Sequence, residues 1–283
     1  MITRICISLN NICNLNCSYC HFHTDEKKAV IVPEDMDILK ILDIYRRYIK
    51  EYGIEKFTIG YVGNGEPLLS YNMLRRCIES TEDLEKAGIL NAYIVTNGTL
   101  LTQEKATFFD QHQVKVGISL DGPKWLHDKG RSASYDRAMN GAEEFRKATG
   151  EYPRFNATVG RESLKSADEI ISFFMKFGSK ITFSRLIGPQ GITLNEYHQF
   201  LETAGRYMPV RTGGYDCTMY GGKCGAGMDN LYYANGKVWI CGNCIDLPSI
   251  GNYDMDPDTF ISKPIDAFDR NKCFHELVTK GKI

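Results

Sequence analysis

The sequence predicts an α/β fold built on a parallel sheet, followed by a smaller and differently composed C-terminal part. Two observations carry that expectation. Up to residue 185, six apolar, β-leaning runs alternate with amphipathic helix patterns, as successive βα units do. Beyond residue 210 the alternation gives way to a Gly- and Cys-rich stretch containing one strong hairpin signal.

Ile2–Leu9 alternates weakly and suits a first strand. Pro33 opens a helix with Glu34, Asp35 and Asp37 in its first turn, where acidic residues favour the positive end of the dipole. Its apolar residues Ile38, Leu39, Ile41, Leu42, Tyr45 and Ile49 recur at helical spacing. Phe57–Val62 is a short strand ended by Gly63, and a helix over 71–88 stops at Gly88. Three further pairs follow: strand Ala92–Val95 with helix Gln103–Gln111, strand Val114–Leu120 with helix Tyr135–Thr149, and strand Arg154–Val159 with helix Ala167–Phe177. Lys180–Arg185 is the sixth strand, and a helical stretch covers Leu194–Tyr207. Ligands of such sheets gather at the C-terminal strand ends, which is where the motifs below fall.

The 283 residues suffice for one large domain or one domain with a small appendage. A net charge near −1 gives no footprint for nucleic acid or an anionic membrane. With no signal-peptide pattern and no apolar run near 18 residues, a soluble, cytoplasmic protein is expected. Metal-type cysteine spacing in such a chain favours a reducing compartment over secreted disulfides. The ten cysteines sort by position: Cys13, Cys17 and Cys20 in one group, Cys217, Cys224, Cys241 and Cys244 in another, and Cys6, Cys77 and Cys273 alone.

The first group is a Cys-x3-Cys-x2-Cys run in the loop after the first strand. Three thiols this close converge on one metal site but fall one short of a closed four-ligand set. Three readings stand: ordinary thiols, a zinc site completed by His21 or His23, and a three-cysteine [4Fe–4S] cluster with one iron left open. The run resembles the signature of the radical S-adenosylmethionine (SAM) enzymes. That resemblance implies that the open iron binds the amino and carboxylate groups of SAM, and that the reduced cluster cleaves SAM to a 5′-deoxyadenosyl radical. It makes Cys13, Cys17 and Cys20 the ligands, sets Tyr19 beside cluster and adenine, and puts Phe22 where adenine is contacted. It also implies that the strands curl into a partial (βα)6 barrel.

Other motifs follow the strands in the order the resemblance requires. Gly63-Asn64-Gly65-Glu66-Pro67 is similar to the family's Gly-Gly-Glu-Pro loop, with Asn64 in place of a glycine. Glycines let backbone approach a ligand closely, and Glu66 offers a carboxylate to the amino group of SAM; Asn64 and Gly65 belong to the same expected contact. Thr96-Asn97-Gly98 resembles a family turn, though Asn-Gly is good turn chemistry by itself. Ser119–Arg131 resembles a segment of sulfatase-maturase-like, peptide-modifying members. By that likeness Ser119 and Asp121 lie by the ribose and Arg131 reaches the SAM carboxylate, which suits guanidinium chemistry. His127 and Asp128 are expected to serve as loop structure. Arg185-Leu186-Ile187-Gly188 is also family-like, and there the backbone is implied to touch adenine.

In the C-terminal quarter, Leu231–Ala234 and Lys237–Ile240 flank Asn235-Gly236, and Cys241-Gly242-Asn243-Cys244 follows. With Cys217 and Cys224 upstream, this resembles the opening of the SPASM/twitch auxiliary-cluster pattern, without its later cysteines. The expected division is a radical SAM partial barrel over 1–209 and a twitch-like domain over 210–283, with one auxiliary [4Fe–4S] cluster on Cys217, Cys224, Cys241 and Cys244. A structural zinc, or a site using Cys273 in place of Cys244, remains open. Cys273 is placed in a helix over Pro264–Val278, where packing or hydrogen donation to a substrate radical are its two readings. Gly242 stands where sulfatase maturases carry an aspartate taken as the catalytic base, which argues against formylglycine formation by that route.

The resemblance implies hydrogen abstraction from a residue of a peptide, such as a ribosomally made precursor undergoing oxidation, crosslinking or epimerisation. An electron donor such as flavodoxin or ferredoxin is an implied partner. The alternative is a radical dehydrogenase of a sugar or cyclitol alcohol, and a non-catalytic cluster or zinc scaffold is a third. With nothing ahead of the first strand, no N-terminal peptide-recognition domain is expected.

Overall fold

The computed structural model describes residues 1–20, 35–210, 215–261 and 268–282. Its central sheet contains β1 (Arg4–Ile7), β2 (Phe57–Tyr61), β3 (Leu90–Thr96), β4 (Lys115–Ser119), β5 (Arg154–Val159) and β6 (Ile181–Arg185), in chain order and each parallel to the next. The chain returns through α1 (Asp35–Glu51), α2 (Tyr71–Ser80), α3 (Glu82–Lys86), α4 (Gln103–Gln111), α5 (Lys124–Gly130), α6 (Tyr135–Thr149), α7 (Arg161–Lys165) and α8 (Ala167–Met175), with α9 (Leu194–Gly205) after the last strand. The order of strands leaves β6 at an open edge, so the six βα units make the expected partial barrel.

Period-two alternation decides what faces the lumen. Ile5 and Ile7 are fully buried in one core with Ile38 and Ile41 of α1, each worth about 1.5–3 kcal/mol of burial. Arg4 and Cys6, the alternate residues, line the inside. Two glycines make room there. A Cβ on Gly60 would meet the Tyr93 ring at 2.4 Å, and one on Gly117 would meet Asn156 Nδ2 at 2.3 Å.

The C-terminal part joins the same sheet. After a short pair, β7 (Tyr215–Asp216) and β8 (Lys223–Cys224), comes a hairpin of β9 (Asn230–Ala234) and β10 (Lys237–Trp239), with β11 (Gly251–Asn252) antiparallel to β10. Its turn residues Asn235 and Gly236 have φ of +50° and +75°, as the Asn-Gly signal requires. Strand β9 lies parallel to β1, with Arg4 opposite Asn230, so the hairpin extends the barrel sheet beyond its first strand. Tyr233 of β9 is buried in the main core, and its hydroxyl is 2.8 Å from that of Tyr45 on α1. Two short helices follow, α10 (Pro257–Ile261) and α11 (Phe274–Thr279).

Several elements differ from expectation. The helix over 71–88 is two helices, because Thr81 turns its hydroxyl back onto the carbonyls of Cys77 and Ile78 and ends the first. Ser166 ends α7 with its backbone N donating to Ser163 O at 3.2 Å and stands as the N-cap residue of α8, so the helix over 167–177 gains a partner upstream. Lys124–Gly130 is a helix rather than a loop, started by Pro123. Of the expected helix Pro264–Val278, the described residues are helical from Phe274. Asp269 accepts from Asn271 N at 3.1 Å, an Asx turn that holds the chain out of the helix, and Cys273 becomes the N-cap. Residues 262–267, like Pro33 and Glu34, lie outside the described residues. Among the described residues no helix is long and apolar enough to cross a membrane.

Helix α6 packs on the turn after β3 through Gly141, where a Cβ would meet the Gly98 carbonyl oxygen at 2.0 Å. Glycine to alanine inside a helix ordinarily stabilises by about 1 kcal/mol. Here Gly141→Ala should instead destabilise by about 1–3 kcal/mol, the cost of overpacking, as measured by urea denaturation.

Candidate active site

Cys13, Cys17 and Cys20 sit on the loop leaving β1, each half-buried. The loop is pinned from both sides. Glu66 N donates to Ile12 O at 2.7 Å, while Asn16 N donates to Ser132 Oγ and Ser18 N to Gly130 O, both at 2.9 Å. A turn brings Cys20 N to Cys17 O at 3.1 Å. The three thiols feel one another's charge: burial pushes the Cys17 thiol up to about 11, Arg131 opposes, and Cys20 and Cys13 add to the rise.

Beside this loop Glu66 is buried and carries the tops of three strands. Its Oε1 accepts from Leu68 N at 3.0 Å and Thr96 Oγ1 at 2.6 Å, and its Oε2 accepts from Asn97 N at 2.8 Å. Burial raises its pKa and the three hydrogen bonds oppose the rise. A carboxylate has about four acceptor positions, so one remains on Oε2. The side chain of Asn97 reaches Asn14 Oδ1 at 2.8 Å, and Asn14 in turn donates to Thr99 Oγ1 at 2.8 Å. Thr96 and Asn97 therefore position Glu66 and the cysteine loop. Gly65 has a reason other than closeness to a ligand: a Cβ there would meet Ile12 O at 2.3 Å and Asn10 Oδ1 at 2.1 Å. Asn64, in the place of the family glycine, accepts from Tyr232 Oη of β9 at 2.6 Å.

On the other side of the loop stands a second buried carboxylate. Asp121 takes Arg131 Nε at 2.9 Å, Arg131 Nη2 at 3.1 Å, Thr158 N at 2.9 Å and the Tyr19 hydroxyl. Burial works against its charge, yet the Arg131 guanidinium and these hydrogen bonds bring its pKa below the ordinary value. Its four acceptor positions are filled. Arg131 also lies over the Tyr19 ring at 5.4 Å, and Gly130 leaves space for that ring, where a Cβ would meet it at 2.8 Å. The expectation put Asp121 at the ribose and Arg131 at the SAM carboxylate; here each engages the other and both hold Tyr19. Ser119 ends β4 on the lumen side, and Phe22, His21 and His23 lie outside the described residues. His127 is fully buried, with Nδ1 accepting from Asp121 N at 3.4 Å and Nε2 3.0 Å from Ser134 Oγ. Asp128 caps Tyr135 N at 2.8 Å, so the two form no catalytic pair.

The second cysteine group gathers five thiols. Cys217 feels the charges of Cys241, Cys273 and Cys224, and Cys241 is hydrogen-bonded to Cys244. Arg270 draws Cys273 in: its Nη1 donates to the carbonyls of Cys224 at 2.8 Å and Ala226 at 3.0 Å, and Cys224 N donates back to Arg270 O at 2.7 Å. Among the described residues no three His, Cys, Asp or Glu side chains converge tightly enough for a single ion. Both thiol groups suit a cluster, which takes each thiolate on a separate iron.

Two cavities adjoin these groups. One, of about 640 Å³, is the barrel lumen; it runs from Arg4 and Arg154 past Tyr93 to Gly63, and its wall includes Cys217 and Cys241. The other, of about 460 Å³, lies between Tyr19, Asp121, Thr158 and Leu186, at the ends of β4 to β6. Both are within the range of small-ligand sites. Asn10, Asn14 and Thr158 were not legible as site residues, because each acts through a partner distant in sequence.

The family described as Radical SAM superfamily matches residues 7–174. A protein of Clostridium novyi (strain NT), described as a cysteine-type anaerobic sulfatase-maturating enzyme, is 29% identical over 171 residues, covering 58% of this chain and 45% of that one. This chain thus matches less than half of that relative's length. Among solved structures, native anSMEcpe with bound AdoMet superposes with a TM-score of 0.75 at 18% identity, over 95% of this chain and 81% of that one. Streptococcus suis SuiB bound to precursor peptide SuiA superposes at 0.72 and 17% identity, over 93% of this chain and 65% of that one. At such identities the two structures establish likeness of fold alone.

Burial holds the His127 imidazole down to about 4, so it stays neutral in the fold while the unfolded chain protonates near 6.5. Between those values the unfolded state binds more protons, and stability falls as pH falls. From pH 7 to pH 5 this one group should remove about 2 kcal/mol. Urea denaturation of His127→Asn at the two pH values should show that much less acid sensitivity than the parent.

Proposed function

The chain belongs to the radical SAM superfamily, and from that premise we propose that it abstracts hydrogen from a residue of a peptide, maturing a ribosomally made precursor. When bound, the [4Fe–4S] cluster and SAM supply the 5′-deoxyadenosyl radical that members of this superfamily use. Cys13, Cys17 and Cys20 would hold that cluster. The free acceptor position on Glu66 Oε2 suits the ammonium of SAM, with Asn64 and Gly65 fixing the loop. Asp121 holds Arg131 and Tyr19 beside the 460 Å³ cavity, with Ser119 on the lumen side and Phe22 as a further adenine contact. Four of Cys217, Cys224, Cys241, Cys244 and Cys273 would hold one auxiliary [4Fe–4S] cluster in the region 210–283. If Cys273 is not among them, it is the candidate hydrogen donor. A flavodoxin or ferredoxin would deliver electrons.

The observation that carries the peptide reading is the make-up of the lumen. It connects the auxiliary thiols with the Gly63 end of the SAM motif, and Asn91, Asn156, Asn230 and Asn243 line it. A carboxamide presents both a donor and an acceptor, the pairing a peptide backbone asks for. Asn230 Oδ1 is buried without a hydrogen-bond partner, so one acceptor there awaits a donor. Gly242 also lies on this wall, and no aspartate or glutamate is among the described residues lining it. Among the described residues this wall therefore offers no carboxylate base of the sulfatase-maturase kind.

Anaerobic reconstitution tests the chemistry. Two clusters imply on the order of 8 iron per chain, and Cys13→Ala/Cys17→Ala/Cys20→Ala should leave about half of it while abolishing 5′-deoxyadenosine formation from SAM. Comparing Cys244→Ala with Cys273→Ala by iron content identifies the fourth auxiliary ligand. Zinc without iron, or no SAM cleavage under reductant, would overturn the enzyme reading. A short peptide encoded beside the gene should change mass or take up solvent deuterium on turnover; oxidation of a sugar or cyclitol alcohol in its place would favour a small-molecule dehydrogenase.

A further inference from the structure

Among the described residues three thiols line the 640 Å³ lumen: Cys217 and Cys241 of the auxiliary group, and Cys6 of β1, which belongs to neither cysteine group. Cys273 is buried and is not part of that wall. Cys6 is therefore the lumen thiol that the two expected clusters leave over.

A row across three strands holds it. Cys6 lies opposite Gly60 of β2, and Gly60 lies opposite Tyr93 of β3. Because Gly60 has no side chain, the Tyr93 ring lies over it, where a Cβ would meet the ring at 2.4 Å. The Tyr93 hydroxyl thereby comes to 3.5 Å from Cys6 Sγ. When the hydroxyl donates, the S–H bond is left to the lumen. On its other side Cys6 lies opposite Tyr232 of β9 and packs against the cluster that Tyr232 belongs to.

Depth in the lumen gives the thiol a task. Ser8, two residues further along the chain and on the same face by alternation, marks the level of the SAM motif: a Cβ on Gly63 would meet Ser8 Oγ at 2.4 Å. Cys6 thus sits about 7 Å deeper than that level, roughly the span of two strand residues. Below it the cavity asks for a guest. Asn230, two residues before Tyr232 on β9, lines the same cavity, and its Oδ1 is buried with no hydrogen-bond partner among the described residues. A backbone N–H held there would carry a peptide past Cys6, with the SAM motif on one side of a residue and the thiol on the other.

We propose that Cys6 is a catalytic residue, the hydrogen-atom donor to the substrate radical, so that the outcome is epimerisation of a peptide residue without net oxidation. This deepens the peptide reading and rests on it. Abstraction removes one hydrogen atom from the substrate carbon. The Cys6 S–H bond then breaks homolytically, its hydrogen forms the new C–H bond from the deeper side, and a thiyl radical is left on Sγ. One electron from a low-potential donor of the flavodoxin or ferredoxin class, with one proton from solvent, restores the thiol.

Turnover in D2O tests this, with the short peptide encoded beside the gene as substrate and 5′-deoxyadenosine counted alongside. The parent should give a product with one deuterium at the modified carbon and an inverted configuration there on chiral amino-acid analysis. Cys6→Ala and Cys6→Ser, checked for fold by iron per chain, should gain at least about tenfold less deuterium per 5′-deoxyadenosine formed. Serine keeps the shape and the hydrogen bond, but its O–H bond is too strong to yield a hydrogen atom to a carbon radical. A variant that keeps the parent ratio, or a parent product lighter by two hydrogens, would overturn the inference and leave the peptide reading standing. A parent that leaves the peptide unmodified overturns that reading, and the inference with it. Should neither variant fold, alkylation of the parent holoenzyme by iodoacetamide decides: Cys6 should react well before the fully buried Cys77, and a Cys6 that reacts only on unfolding overturns the inference.

Discussion

A buried carboxylate at the junction of three strand ends is the constraint on which the site depends. Glu66 cannot leave its charge unsatisfied in a dry environment, so it must draw donors from Leu68, Thr96 and Asn97. Those donors come from the ends of β2 and β3, and the backbone of Glu66 itself holds Ile12 of the loop leaving β1. Meeting the needs of one side chain thus fixes three loops relative to one another. It also leaves a single acceptor position on a carboxylate near enough to Cys13 to act on its thiol.

Asp121 does the corresponding work on the opposite side of the cysteine loop. It is more completely satisfied, and its partners Tyr19 and Thr158 lie 102 and 37 residues away in the chain. The loop bearing Cys13, Cys17 and Cys20 is therefore gripped between two buried anions, one with spare capacity and one without. That asymmetry separates a group that keeps an acceptor position from a group spent on holding an arginine and a tyrosine in place. Buried hydrogen-bonded networks of this kind rigidify a site because breaking any one member exposes the rest to an unpaid desolvation cost.

The C-terminal part is coupled to the barrel through the sheet. Because β9 pairs in parallel with β1, Tyr232 reaches Asn64 and Tyr233 reaches the core, while Cys217 and Cys241 come to the lumen wall. One strand pairing thus brings two thiols of the second group to the same cavity that ends at Gly63. The lumen is the space the two parts share, and the side chains that the strands contribute to its wall follow from which residues alternation turns inward.

Much was determined by the sequence alone: the six βα units, the Asn-Gly hairpin, the spacing of Cys13, Cys17 and Cys20, and the order of motifs after the strands. These are legible because periodicity, turn chemistry and ligand spacing are local, set within a few residues. Tertiary structure decided the rest. It broke the helix at Thr81, made Lys124–Gly130 a helix, and brought Cys273 from an expected helix interior to the N-cap beside the other thiols. It also turned Asp121 and Arg131 toward each other, and gave Gly65 a backbone neighbour as its reason for lacking a side chain. The helix ends rest on short-range hydrogen bonds that the residue pattern does not announce, whereas Gly65 against Ile12 and Asp121 with Tyr19 and Thr158 join segments far apart in the chain, which meet only once the sheet has formed.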